Sequence, residues 1–245
     1  MKFKGYFLSV LFISLVNSAI AEEHWSYNEK GAPQNWGDLR PDWAMCKTGK
    51  NQSPIDIHEA IKGNLPKLEM FSVTNIKNII NNGHTIQINT KNSDGINIDG
   101  QSFTMEQFHF HTPSENLLNG NSYPIEMHFV HTNKEGQLAV VAVMATAGEA
   151  NPTINKIINL SPKGINDVNR IEETLQLETL LPKDTHYYRY SGSLTTPPCS
   201  EGVIWIVMKQ STKMSKEQIQ ELTTLLNSKN NRPPQPLNGR QIVEL

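Results

Sequence analysis

The stretch FTMEQFHFH, residues 103–111, decides the fold class, because polar and apolar side chains alternate over most of its length. Alternation with a period of two is typical of a β-strand, in which successive side chains point to opposite faces of a sheet. Similar segments recur along the chain and are separated by short runs of Asn, Gly, Asp and Ser. The strands predicted by this pattern include Thr85–Thr90, Ile96–Ile98, Phe103–His111 and Glu126–His131.

Helical spacing of apolar residues is found in two segments, Pro152–Leu160 and Ser215–Leu226. The second begins Ser-Lys-Glu-Gln, which resembles a capping box at a helix N-terminus. Residues 25–54 are rich in Pro, Gly and Trp and have little periodicity, so we expect an irregular arm that wraps the sheet. With no internal repeat and no linker, the sequence predicts one domain of the mainly β (α+β) class. Its centre would be a large, twisted and mostly antiparallel sheet with a few short peripheral helices.

The composition excludes several classes of protein. The 245 residues are 37% hydrophobic and 19% charged, which excludes a collagen, a coiled coil and a wholly disordered chain. The 22 basic and 24 acidic residues give a formal net charge of −2. A chain without excess positive charge is poorly suited to nucleic acid or to an anionic membrane surface, so we predict neither as a partner.

The N-terminus has the pattern of an export signal. A basic start, MKFK, is followed by an apolar stretch from Tyr6 to Val16 and by the small-x-small motif AIA at 19–21. The apolar stretch is shorter than the roughly 18 residues that a membrane helix needs. We therefore predict a cleavable signal peptide, residues 1–21, and a mature domain, residues 22–245, without a membrane span.

Export from the cytosol would allow the two cysteines to form a disulfide. A lone pair outside the cytosol, Cys46 and Cys199, predicts one disulfide, and no CxxC motif points to redox or zinc-finger chemistry. The two glycosylation sequons, at Asn51 and Asn159, are each followed by Pro after the Ser, which is a poor acceptor context. This favours the periplasm, with eukaryotic secretion as the alternative.

Residues of matching parity on two predicted strands suggest a metal site. His109 and His111 point the same way as Gln107. On the other strand, His128 points the same way as Glu126. If the strands lie in one sheet, three imidazoles converge, and three neutral imidazoles with an open fourth position suit a catalytic zinc ion. The two acceptors would each bind the far N–H of an imidazole and fix its tautomer.

Two further points concern the neighbouring residues, His131 and Glu115. His131 has the opposite parity to His128, so we predict a structural role for it. The pattern His109-x-His111-xxx-Glu115 with a later His also resembles half of a cupin site, in which Glu is a ligand and iron or manganese is usual. The glycine and proline placement of that motif is missing, which argues against a cupin.

The mature chain strongly resembles the alpha-class carbonic anhydrases. The motifs that carry the resemblance, in order, are HWSY at 24–27, NQSPIDI at 51–57, NNGHTI at 81–86, QFHFH at 107–111, SEN at 114–116, EMHFVH at 126–131, SLTTPPC at 193–199, WIV at 205–207 and RPPQPLNGR at 232–240. Thr112 stands where the better-known animal members have Trp, and Asn116 stands in place of a His. Both departures resemble the bacterial branch.

The resemblance implies a zinc enzyme that reversibly hydrates carbon dioxide to bicarbonate and a proton, through attack by zinc-bound hydroxide. The implied roles are zinc ligation by His109, His111 and His128, orientation of the hydroxide by Thr195 and Glu115, bicarbonate contact by Thr196, and proton transfer by His84. A Thr hydroxyl that donates its single proton to a carboxylate can only accept from the nucleophile, which gives the orienting pair its physical sense.

A cavity for carbon dioxide would have an apolar and a polar half. Val130 shares the face of His128 and can supply part of a dry wall, and the resemblance adds Val140, Leu194 and Trp205. The polar half would contain Asn82, Gln87 and Gln107, which could hold an ordered water chain. The competing class is a catalytically silent binding module of the same fold. The sequence leaves the oligomeric state open, a homodimer included.

Overall fold

The structure is a computed structural model that describes residues 24–69, 73–91, 93, 95–227 and 229–245. The predicted signal peptide lies outside these residues. The strands are β1 (Asp56–Ile57), β2 (Ile61–Lys62), β3 (Val73–Asn81), β4 (Ile86–Lys91), β5 (Gly95–Ile98), β6 (Gln101–His111), β7 (Leu117–Leu118), β8 (Ile125–Thr132), β9 (Leu138–Ala147), β10 (Val168–Gln176), β11 (Tyr187–Ser193), β12 (Glu201–Met208), β13 (Thr212–Met214) and β14 (Val243–Glu244). The α-helices are α1 (Trp36–Leu39), α2 (Met45–Thr48), α3 (Pro152–Leu160) and α4 (Lys216–Leu225), and 3-10 turns span Glu29–Gly31, Pro33–Asn35, Pro41–Trp43 and Leu177–Leu180.

Twelve of these strands form one mixed sheet. Its spatial order is β10-β3-β4-β6-β8-β9-β12-β11-β14-β2, with β5 paired to β6 and β13 paired to β9. Eight of the strand pairs are antiparallel, whereas β12 and β13 run parallel to β9, and β14 runs parallel to β2. The mainly β, mostly antiparallel architecture with few short helices is confirmed. All four predicted strands are present, with ends that differ by one or two residues.

A bulge in β6 explains an irregularity in the sequence pattern. Along this strand the buried apolar positions change from odd to even numbers between Met105 and Phe108. The register against β8 shifts between Met105 and Gln107, so the strand gains one residue there. Because of this extra residue, the apolar side chains on both sides of the bulge stay on the same face of the sheet. The bulge also sets the phase of the two histidines that follow it.

The two faces of the sheet are covered differently. On one face, Phe108 and Phe129 stack with ring centroids 5.2 Å apart, within a large apolar core that includes residues of α3 and α4. Helix α4 begins with the predicted capping box, in which Ser215 and Gln218 exchange side-chain to backbone hydrogen bonds. On the other face a smaller apolar cluster forms around Val140. The candidate site lies on this second face.

The N-terminal arm differs in part from the prediction. The sequence predicts an irregular arm over residues 25–54, but the arm contains five short helical turns of three or four residues each. Turns of that length are too short to produce a helical repeat in the sequence. The predicted disulfide joins the arm to the loop after β11, with the Cα atoms of Cys46 and Cys199 5.0 Å apart. Within the part of the chain described here, we find no helix with the length and apolar character needed to cross a bilayer.

His131 is part of the core and not of the candidate site, as its parity predicts. Its ring is fully buried on β8, and Nδ1–H donates to the carbonyl oxygen of Phe129 at 2.9 Å. Burial lowers the pKa of His131 from its usual value to about 4. The folded protein therefore keeps this ring neutral over a pH range in which the unfolded chain binds a proton.

We expect His131→Phe to weaken the acid sensitivity of folding between about pH 6.5 and pH 4. In that window unfolding of the wild type takes up one more proton at residue 131. The equilibrium constant for its unfolding therefore rises by up to about tenfold for each unit by which the pH is lowered. This rise adds to the effects of the other titrating groups. Urea unfolding at several pH values measures this slope, with His58→Gln, at an exposed position, as the control. Equal slopes for wild type and His131→Phe would contradict the prediction.

Candidate metal centre

Three imidazoles meet on the second face of the sheet. His109 and His111 lie on β6, and His128 on β8 is the direct cross-strand partner of His109. One ring nitrogen from each of the three residues lies within 4.8 Å of the other two. The pairing of the two strands thus brings together the three residues that the sequence selected.

The rear nitrogens of two rings are held by side chains of the same strands. His109 Nδ1–H donates to Gln107 Oε1 at 2.8 Å, and His128 Nε2–H donates to Glu126 Oε1 at 2.9 Å. An acceptor oxygen at the rear nitrogen fixes the tautomer, so the opposite nitrogen presents a lone pair. These are the two acceptors that strand parity indicated.

The third ring is held by a residue that the sequence analysis missed. His111 Nδ1–H donates to the backbone carbonyl oxygen of Asn230 at 2.7 Å. The Asn230 side chain also accepts from the Thr112 amide at 2.7 Å and donates to the carbonyl oxygen of Phe110 at 2.9 Å. No sequence pattern could identify this acceptor, because a backbone carbonyl is present at every residue and this one lies 119 residues away.

The electrostatics of the cluster suit a cation. Burial lowers the pKa of His109 and of His128 well below the usual value, and the neighbouring His111 lowers both further. The pKa of His111 is also lowered, mainly by burial. All three rings are therefore neutral and can act as ligands. Nε2 of His111 is buried with no hydrogen-bond partner, which costs roughly 1–3 kcal/mol unless a bound group satisfies it. The donor set fits a divalent metal ion.

Glu115 lies next to the cluster and is fully buried. Its Oε1 accepts from the Arg232 amide at 2.8 Å, while Oε2 is 3.5 Å from His111 Nε2 and has no hydrogen-bond partner. Burial raises the pKa of Glu115 well above its usual value, and the Arg232 amide and the Thr195 hydroxyl lower it. Glu115 is outside the group of ligand atoms that lie within 4.8 Å of one another, in contrast to the cupin hypothesis.

Apolar side chains form a row beside the histidines across three neighbouring strands. Val130 on β8 pairs with Val140 on β9, which pairs with Trp205 on β12. The Trp205 ring meets the His128 ring edge to face at 4.9 Å, and its Nε1–H donates to the Ser193 carbonyl oxygen at 3.0 Å. Leu194 packs against the same cluster. The fold therefore places the four predicted wall residues in one apolar cluster.

Comparisons with known proteins agree with this geometry. The model of the eukaryotic-type carbonic anhydrase family matches residues 31–245. A carbonic anhydrase of Pectobacterium atrosepticum is 42% identical over 242 residues, 98% of this chain and 99% of that protein. One from Klebsiella pneumoniae is 43% identical over 238 residues, 96% of this chain and 97% of that protein. The structure of alpha-carbonic anhydrase from Thermovibrio ammonificans with the inhibitor sulfanilamide is 44% identical, with a TM-score of 0.87, and the match covers 90% of this chain and 98% of that one.

The chain belongs to the alpha-class carbonic anhydrase family. The match to the family model and to curated relatives over nearly the whole chain confirms the prediction of an enzyme.

The polar side of the site in this carbonic anhydrase is a chain of amide groups. Gln87 on β4 is the cross-strand partner of His109. Its Oε1 lies 3.5 Å from Asn82 Nδ2, and its Nε2–H donates to Asn89 Oδ1 at 2.7 Å. The amide groups therefore extend from the three histidines towards the turn that carries His84.

His84 is half-buried in a turn between β3 and β4. Its ring stacks on Trp25, with centroids 3.8 Å apart and planes 11° apart. Burial lowers the pKa of His84, and the nearby His24 lowers it further. Gly83, at φ +81°, lets the chain turn here, as glycine readily does. The ring of His84 is therefore packed against the N-terminal arm.

We expect Gln107→Ala to lower the affinity for zinc roughly 10- to 100-fold, the usual effect of removing such a supporting contact. The variant leaves all three ligand nitrogens in place but frees the tautomer and the orientation of His109. Competition against a chelator of known affinity measures the change. Ser102→Ala, at an exposed position of the same strand, is the matched control. Equal affinities for Gln107→Ala and the control would mean that Gln107 does not support the ligand.

Proposed function

We propose that this protein catalyses the zinc-dependent, reversible hydration of carbon dioxide to bicarbonate and a proton. The observation that carries the proposal is the convergence of three neutral ring nitrogens whose rear nitrogens are each held by an oxygen acceptor. Membership of the carbonic anhydrase family supports the reaction type.

The atoms that would hold the ion are Nε2 of His109, Nε2 of His111 and Nδ1 of His128, because the other ring nitrogens donate to acceptors. Three neutral imidazoles favour zinc over the harder cations that prefer oxygen ligands. Zinc, when bound, supplies a Lewis acid that makes a water nucleophilic near neutral pH, for which carbonic anhydrase is itself the standard example.

Thr195 and Glu115 would orient the attacking water. The Thr195 hydroxyl faces the Glu115 carboxylate, and a hydroxyl has a single proton to donate. While the hydroxyl donates this hydrogen bond to Glu115, it can only accept a hydrogen bond from the attacking water. The water would then point a lone pair towards the substrate. Thr196, the next residue of the loop, would contact the bicarbonate product.

The substrate is small and apolar, so its pocket needs a dry wall beside the ligands. Val130, Val140, Leu194 and Trp205 supply such a wall, and their packing in one cluster supports this role. Because the wall excludes water from this side, the attacking oxygen would have few hydrogen-bond partners there other than Thr195. The wall would position carbon dioxide without polar contacts.

The proton released in the reaction would leave along the polar side. Asn82, Gln87 and Gln107 would hold an ordered water chain that leads to His84. The lowered pKa of His84 keeps its ring neutral, and so able to accept a proton, to a lower pH than a free histidine. Transfer to buffer would return the ring to its neutral form.

We also propose that the enzyme acts in the periplasm after removal of residues 1–21. The disulfide between Cys46 and Cys199 supports an oxidising compartment, because such bonds persist mainly outside the cytosol. The mature chain would then begin at residue 22.

We expect the purified mature protein to contain one zinc per chain and to hydrate carbon dioxide rapidly. His109→Ala removes one of three ligands, so both zinc retention and hydration should be lost, and the rate should fall by several powers of ten. Metal analysis and stopped-flow hydration measure the two properties, with His58→Ala as a histidine control away from the site. A fully active His109→Ala enzyme, or a wild type that hydrates carbon dioxide without metal, would contradict the proposal.

We expect His84→Ala to lower kcat roughly tenfold to a hundredfold in weak buffer, because proton release then loses its relay. Added imidazole should restore the rate by replacing the missing acceptor. In the wild type, kcat in weak buffer should rise with pH through the pKa of His84, below 6.5, and this limb should be absent in the variant. An unchanged kcat in weak buffer would remove His84 from the mechanism.

A further inference from the structure

The loop that carries Thr195 is held at its first end by the N-terminal arm. Ser193, the last residue of β11, exchanges two hydrogen bonds with Ser53 of the arm. The Ser53 amide donates to Ser193 Oγ at 2.9 Å, and the Ser193 amide donates to Ser53 Oγ at 3.1 Å. Both side chains are fully buried, so these bonds fix the point at which the loop leaves the sheet.

The second end of the loop is held by the same arm. Cys199 is bonded covalently to Cys46, and its carbonyl oxygen accepts from Gln52 Nε2 at 3.0 Å. The loop residues between the two ends also close on themselves, because the Cys199 amide donates to the carbonyl oxygen of Thr196 at 2.9 Å. The position of Thr195 therefore depends on where three arm residues lie.

One buried side chain binds all three of those arm residues. Nη1 of Arg232 donates to Gln52 Oε1 at 2.9 Å and to the Ser53 carbonyl oxygen at 2.8 Å. Nη2 donates to the Cys46 carbonyl oxygen at 2.8 Å. The Trp36 ring lies over the guanidinium, with 5.7 Å between Cζ and the ring centroid. The residue is only 1% exposed, so the arm supplies the acceptors that water would otherwise provide.

The backbone of the same residue binds the partner of Thr195. The Arg232 amide donates to Glu115 Oε1 at 2.8 Å. Glu115 belongs to a different part of the chain, 117 residues away. Arg232 is thus connected to the carboxylate through its amide and to both ends of the hydroxyl-bearing loop through its guanidinium.

We propose that the Arg232 side chain is a positioning residue that fixes the Thr195 loop relative to Glu115 by clamping Cys46, Gln52 and Ser53. This inference rests on the proposed function, because it concerns the pair that orients the attacking water. The planar guanidinium is suited to the task, since it presents several donors in fixed directions. A lysine at this position would present one point charge, with donors that rotate freely.

The test compares Arg232→Lys and Arg232→Gln with the wild-type zinc enzyme. We expect kcat for hydration to fall in the order wild type, Lys, Gln, by roughly tenfold to a hundredfold for Gln, since small misplacements of reacting groups have effects of that size. KM and the zinc content should stay close to the wild-type values, because none of the three ligands contacts the guanidinium. A role in stability alone would lower the melting temperature and leave kcat of the folded enzyme unchanged.

Hydrogen exchange supplies a second readout that does not depend on activity. The Leu194 amide donates to the Ser200 carbonyl oxygen, and the Cys199 amide closes the loop, so both should be protected in the wild type. In the Arg232 variants these two amides should exchange about tenfold faster or more, while those in the centre of β8 keep their protection. Gln52→Ala removes one acceptor of the clamp together with the Nε2 donor to the Cys199 carbonyl oxygen, and it should produce a change of the same kind.

Arg189→Gln is the matched control, because Arg189 forms its ion pair with Asp99 away from this loop. Should the Arg232 variants fail to fold, a comparison of Gln52→Ala with Gln52→Glu decides the question, because both lack the amide donor to Cys199 and only the second keeps an oxygen acceptor for Arg232. Wild-type kcat together with wild-type loop protection in folded Arg232 variants, or in Gln52→Ala, would overturn the inference. An unsubstituted protein without zinc or hydration would instead refute the proposed function, and the exchange measurement would still test the clamp.

Discussion

The pairing register of β6 and β8 is the constraint on which the rest of the site depends. His109 lies directly opposite His128 in that register. Side chains alternate between faces along a strand, so a slip of one residue would move His128 into the helix-covered core. The register is secured on the opposite face, where Phe108 and Phe129 form another direct pair and stack at 5.2 Å. One strand register therefore determines both the packing of the apolar core and the position of the three histidines.

The sequence predicted the parts of this structure that follow from local periodicity. Strand parity predicted the cluster of three histidines and the acceptors Gln107 and Glu126, and the Ser-Lys-Glu-Gln motif predicted the N-terminal cap of α4. The rest depends on contacts between distant segments, which leave no local pattern. Asn230 supports His111 through a backbone carbonyl, and Arg232 supports Glu115 through a backbone amide, so neither side chain identity points to the role. The helical turns of the arm are too short to show a repeat.

Buried charge in this site is offset by dense hydrogen bonding. Glu126 accepts from the Glu115 amide at 2.6 Å, from the Asn116 amide at 2.8 Å and from Asn116 Nδ2 at 2.7 Å, besides the His128 ring. Burial still raises the pKa of Glu126, and these donors lower it. The Asn116 side chain accepts in turn from Tyr190 at 2.9 Å. Asn116 thus helps to hold Glu126, the acceptor of the His128 ring, so this residue has a structural role at the site.

The segment around Asn230 and Arg232 also bears on how the protein folds. Asn230 and Arg232 lie 119 and 117 residues after His111 and Glu115, the two residues that they support. The site is therefore complete only when these distant segments have come together. Contacts that span more than 100 residues also slow folding, because the chain loses the entropy of loop closure before these contacts can stabilise it. Pairing of β6 and β8 joins segments that are much closer in the sequence, so the three histidines can meet before His111 and Glu115 have their full support.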